Sequence, residues 1–100
     1  MAFDMYIGSE HDSIDAQEEY ILSMINGDEK EYPQLNKIHL NFYGDVVFSS
    51  AEASDLIFEL LKLNALNIHL NTQFKLLILR LSSFFSIAVR TNQKVVCAGD

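Results

Sequence analysis

One hundred residues suffice for one domain and not for two, since a chain of this length buries roughly two thirds of its unfolded surface and rarely divides further. With 49% hydrophobic residues and a single proline, the composition is that of a folded domain and excludes a disordered segment. The net charge of −7 repels phosphate backbones, which excludes nucleic acid as the expected partner and favours a basic protein surface.

Along the chain, "FDMYI" alternates Phe3, Met5 and Ile7 against Asp4 and Tyr6, the period of a half-buried strand that Gly8 and Ser9 end. Ile14, Ile21, Met24 and Ile25 then predict a helix over residues 14–25, with Glu18 and Glu19 on its polar side and Asn26-Gly27 as its stop. "GDEKEYP" reads as a charged loop. In "QLNKIHLNFY", Leu35, Ile38 and Phe42 fit helical spacing after Pro33, while Ile38, Leu40 and Phe42 also alternate; helix is the preferred reading of 34–43. "DVVFS" reads as a short strand. Ser49 and Glu52 have capping-box spacing before a stripe of Ala53, Leu56, Ile57, Leu60 and Leu61 opposite Glu52, Asp55, Glu59 and Lys62. "NALNIHLN" is either a link or a short strand. From Asn71 or Thr72, Phe74, Leu77, Ile78, Leu81, Phe84, Phe85 and Ala88 predict a helix of about five turns, which Leu76 and Leu79 make apolar on most sides. Such a helix sits centrally or carries an oligomer contact. "KVVCAGD" reads as a last strand able to pair with the first. The expected fold class is α+β, one domain over residues 1–100, with helices on one side of a small sheet.

The expected compartment is the cytoplasm. Cys97 is the only cysteine, so no disulfide forms within the chain, and no secretory signal is apparent at the start. The apolar run "FKLLILRLSSFFSIAV" is interrupted by Lys75 and Arg80 and is read as falling short of the ~20 apolar residues of a membrane span.

The richest local signal is "GSEHDSIDAQEEY", crowded with carboxylates around His11. As a metal site it would use His11, Asp12 and Asp15, but it lacks the oxygen series and glycine turn of a hard-cation loop and the Cys or further His of a zinc site. A solvated acidic loop capping a helix is the preferred reading. Cys97 within "VVCAG" reads as a buried apolar residue, and neither a nucleophile elbow nor a phosphate loop is present. No enzyme activity, metal or cofactor is therefore expected. The charge is lopsided: residues 1–60 hold thirteen acids against Lys30 and Lys37, whereas residues 61–100 hold five bases against Asp100. Tyr20, Tyr32 and Tyr43 lie in or beside the acidic part, where rings supply buried area and charges steer an encounter. Edge-of-core packing is the alternative reading of these rings.

The stretches "YPQLNKIHLNFYGDV" and "SSAEASDLIFELLKL" and the terminal "VVCAGD", about a third of the chain, resemble small immunity proteins of contact-dependent growth inhibition and other polymorphic toxin systems. The resemblance implies a non-enzymatic inhibitor that binds a cognate basic toxin domain, foremost a nuclease, and occludes its active site or substrate groove. Glu10, Asp12, Asp15, Glu18, Glu19, Asp28, Glu29 and Glu31 are then the expected steering charges, and Tyr20, Tyr32 and Tyr43 the expected anchors. Two other classes compete with this reading. An adaptor would oligomerise through the helix at 72–90, and a small metal-dependent hydrolase would use His11, Asp12 and either His39 or His69.

Overall fold

The computed structural model describes residues 2–99. In chain order these form β1 (Ala2–Ile7), β2 (Glu10–Asp15), α1 (Tyr20–Ser23), α2 (Pro33–Leu40), β3 (Asp45–Phe48), α3 (Ser50–Leu66), α4 (Thr72–Thr91) and β4 (Val95–Gly99), with one 3-10 turn at Glu29–Glu31. The strands make one antiparallel sheet in the order β2-β1-β4-β3, so the first and last strands pair, as expected, with Met5 opposite Cys97. The fold is a single α+β domain in which α3 and α4 pack together over the sheet.

The alternation of β1 is reproduced: Phe3, Met5 and Ile7 are buried and Tyr6 is exposed. The expected helix over 14–25 is not formed. Gly8, at φ +57°, makes a two-residue turn, and Glu10–Asp15 folds back on β1 with Tyr6 opposite His11 and Phe3 opposite Ile14. Only Ile14 of that strand enters the core, so its apolar pattern is a single residue and the spacing Ile14, Ile21, Ile25 imitates a helix. What remains helical is one turn, Tyr20–Ser23, whose Ile21 and Leu22 are buried.

The longer helices follow their local signals. Pro33 opens α2, the favoured reading of 34–43. Ser49 Oγ accepts the Glu52 N–H at 3.1 Å and Glu52 Oε1 accepts the Ser49 N–H at 2.9 Å, so the capping box starts α3. The helix runs on through Leu66, and "NALNIHLN" supplies its end and a turn, not a strand. Asn71 Oδ1 caps α4 by accepting the Phe74 N–H at 2.9 Å, and Asn92 stops it in the left-handed region at φ 52°. At 20 residues α4 does reach the length and apolar content of a membrane span, contrary to the reading from its charged interruptions, and its stripe from Phe74 to Ala88 is buried in the domain. Phe85 meets Phe84 and Phe48 edge-on, joining α4 to β3.

The stripe of α3 departs from expectation at three positions. Leu61 is half exposed and Leu63 is buried instead. Glu59, expected on the polar side, is the one buried charged residue among those described. Its Oε1 accepts the N–H of Gln34 at 3.0 Å and of Leu35 at 2.9 Å, capping α2, whose own N-cap residue Tyr32 offers no side-chain bond. Burial pushes the Glu59 carboxyl above its ordinary value, against the lowering by those two N–H groups.

Candidate partner-binding site

The acidic cluster is built around the outer edge of β2. A lateral strand leaves every second residue's N–H and C=O unpaired. Here the Ser13 N–H donates to Asp12 Oδ1 at 2.7 Å, and the Ser13 carbonyl accepts from Arg80 Nη2 at 2.8 Å. The Asp15 N–H donates to Glu18 Oε1 at 3.2 Å, while the Glu18 N–H donates to Asp15 Oδ1 and to the Asp15 carbonyl, each at 3.0 Å. Arg80 grips Glu18 with both terminal nitrogens, at 2.7 and 3.0 Å, and sets Nε 3.3 Å from Asp12. The Arg80 hydrogen bond pulls the Glu18 carboxyl below its usual range, and the same bond raises the guanidinium. Much of this stretch therefore satisfies the protein's own strand edge. Glu18 is not on the polar side of a helix but in an internal ion pair.

The lopsided field is reduced by the same folding. Arg80 comes from the basic part onto Asp12 and Glu18, and Lys62 from α3 reaches Glu31 at 2.7 Å. Lys62 also stands 5.1 Å above the ring of Tyr32, which is only 3% exposed. Tyr32 is thus a core residue and cannot present itself as an anchor. Glu29 accepts the Gly27 N–H at 3.1 Å within its own turn, and both Glu29 and Asp28 stay exposed. Glu10 stands apart from both groups, at the exposed hairpin opposite Ile7.

Asp12 and Glu18 meet Arg80, and with the neighbouring Asp15 and Glu19 they set four carboxylates against one guanidinium, a formal −3. Tyr20 lies at this group and is 41% exposed. Tyr20 helps wall two concavities of about 350 Å³ each, one also lined by Asp15, Glu18, Arg80, Leu76 and Leu77, the other by Met24, Leu70, Asn71 and Phe74. Partial burial and then the Glu18 charge raise the Tyr20 phenol. Tyr43, 58% exposed, packs edge-on against buried Phe42 and donates its hydroxyl to Glu19 Oε1 at 3.4 Å. The structure thus gathers Asp12, Asp15, Glu18, Glu19, Tyr20 and Tyr43, and leaves Asp28, Glu29 and Glu31 on the turn before α2.

Arg80 is the functional neighbour that pattern reading passed over. Its signal was a lone cation inside "LLILRLSS", which calls for a carboxylate partner. Among the described residues no three His, Cys, Asp or Glu side chains converge as metal ligands. His11 instead hydrogen-bonds Asp4 at 3.2 Å and stacks on Tyr6 with ring centroids 4.8 Å apart. Cys97 is buried, and burial pushes its thiol up to about 12. No protein-family model matches the chain, and comparison with curated proteins and with solved structures finds no match.

Proposed function

We propose that the protein is an immunity-type inhibitor that binds a basic toxin domain, foremost a nuclease, and covers its active site or substrate groove. The observation that supports this reading is the placement of Tyr20: a half-exposed ring that helps wall two concavities, one of them rimmed by Asp15 and Glu18. An aromatic that fills a pocket on a partner at the centre of the contact is the usual anchor of a tight interface, and the surrounding charge accelerates encounter with a cation. Tyr43 and Glu19 extend the same surface. Because Asp12 and Glu18 are held by Arg80, steering falls to Asp15, Glu19, Glu10, Asp28 and Glu29. A nuclease groove lined with lysine and arginine to hold phosphates offers the matching field.

The test uses the immobilised full chain to capture proteins from a lysate of its own cell at about 50 mM and about 500 mM salt. The expected result is a cationic protein domain retained at low salt, released at high salt, and toxic to cells unless this chain is co-expressed. Tyr20→Ala should abolish capture and protection, and Glu19→Lys should slow association, with thermal unfolding unchanged in both. Capture that ignores salt and both variants, or a captured domain whose toxicity the chain does not relieve, refutes the reading.

A further inference from the structure

We propose that Asn26 is a site of self-catalysed deamidation, in which the Gly27 nitrogen attacks the Asn26 side-chain carbonyl while the Glu29 carboxylate takes up the Gly27 proton. Asn26 and Gly27 form the centre of the turn after α1, closed by the Asp28 N–H on the Ile25 carbonyl at 2.9 Å, and both are exposed. Gly27 holds φ +91° there with open space around its Cα, so nothing crowds a ring closing on its nitrogen. Among the described residues the Asn26 carboxamide makes no hydrogen bond, which leaves it free to turn toward that nitrogen. The Gly27 N–H donates to Glu29 Oε2 at 3.1 Å, within the reach of a general base. Its own backbone N–H first, and then that of Gly27, hold the Glu29 carboxyl below its usual range, so it is ionised near neutrality and able to accept the proton.

The chemistry consumes only water. A bond forms between the Gly27 nitrogen and Asn26 Cγ, the amide proton passes to Glu29, and the Cγ–Nδ2 bond breaks as Nδ2 takes that proton back and leaves as ammonia. Water then opens the five-membered imide at one of its two carbonyls. Opening at Cγ restores the main chain and leaves an aspartyl carboxylate; opening at the other carbonyl leaves an isoaspartyl link, in which the main chain runs through Cγ. The other six asparagines lack this combination, since each is followed by a residue that bears a side chain. Asn41 and Asn67 donate Nδ2 to the Lys37 and Leu63 carbonyls, each at 2.8 Å, while Oδ1 of Asn71 and of Asn92 accepts from the Phe74 N–H and from Ser50 Oγ, each at 2.9 Å. Asn36 and Asn64 lie inside α2 and α3, where the next N–H belongs to the helical ladder. The product adds a carboxylate beside Asp28 and Glu29 and makes the net charge of −7 one unit more negative. This modification stands independently of the Tyr20 surface.

Ageing the full chain at about 37 °C and about pH 7.5, followed by intact mass and peptide mapping, tests the proposal. The expected result is a gain of about 1 Da confined to the peptide that holds Asn26, with aspartyl and isoaspartyl products resolved by chromatography. Glu29→Gln keeps a hydrogen-bond acceptor but loses the base, and should slow the gain about ten-fold or more. Its thermal midpoint should match wild type, because the side chain is exposed. In about 8 M urea wild type and Glu29→Gln should age at one rate, since the turn no longer holds the carboxylate on the Gly27 N–H. A folded chain that gains no mass, a gain spread over several asparagines, or Glu29→Gln that ages as fast as wild type overturns the proposal.

Discussion

Glu59 allows the roles of charge and of hydrogen-bond acceptance to be separated in one pair of variants. Its carboxylate reaches out of α3 to the first turn of α2, where the Gln34 and Leu35 N–H groups have no intrahelical partner. Glu59→Ala strands both donors, one of them fully buried. At about 1–3 kcal/mol for each unsatisfied buried group the loss should be about 3 kcal/mol, a large share of the roughly 5–15 kcal/mol that holds a domain of this size. Glu59→Gln should behave differently. Oε1 accepts from both donors, so an amide oxygen in that place keeps one bond to each, while the amide nitrogen in place of Oε2 gives up only the second contact with the Gln34 N–H; burial already disfavours the charge. The cost should stay within about 1 kcal/mol. The pH dependence follows from the raised carboxyl. Between the unfolded value and the higher folded value the native state binds more protons, so wild type gains stability relative to Glu59→Gln as pH falls from neutral toward 4.5. Urea titrations at pH 7 and pH 5, with hydrogen exchange at Leu35, measure all three quantities. Equal destabilisation by Ala and Gln, or an Ala variant within about 0.5 kcal/mol of wild type, would refute the reasoning.

Two further outcomes test other parts of the molecule. Arg80→Met should cost about 0.5–1.5 kcal/mol at pH 7, a value kept small because the guanidinium is partly exposed. The Glu18 carboxyl is depressed by Arg80, so its stabilisation is present above 4.5 and lost as pH falls through the lower folded value; an acid-unfolding curve of Arg80→Met that keeps this step contradicts the assignment. Cys97 should react with iodoacetamide at pH 8 at least about a hundred-fold more slowly in the folded protein than in about 8 M urea, and equal rates would show that the thiol is neither buried nor raised.

How much of this was legible beforehand depended on where each element keeps its information. The long helices announce themselves locally: Ser49 and Glu52 write the start of α3, Asn71 the start of α4, and the buried stripe of each repeats along one face. β1 and β4 declare themselves by alternation, and their pairing follows from both being inward-facing and central. β2 does not, because one buried isoleucine has no period and the group that completes its edge, Arg80, lies sixty-seven positions from Ser13. Glu59 was hidden for the same reason: a carboxylate four residues before Leu63 reads as solvated until the α2 backbone is placed against it. The acidic cluster was visible as a composition, but its division into carboxylates that serve the fold and carboxylates free for a partner depended on which cations came back to meet it. Tyr32 shows the limit most plainly, since nothing in "KEYP" distinguishes a ring under Lys62 from one offered outward.

The two lateral strands of the sheet are closed in the same way from opposite sides. Arg80 occupies the carbonyl of Ser13 on β2, and Lys37 donates to the carbonyl of Val47 on β3 at 3.1 Å while bonding Glu52 and covering the ring of Phe48. Neither rim accepts a fifth strand without first breaking an ion pair. Cross-β growth and strand exchange are thereby discouraged in a chain rich in apolar residues, and whatever this molecule recognises must be read through side chains, by shape and charge.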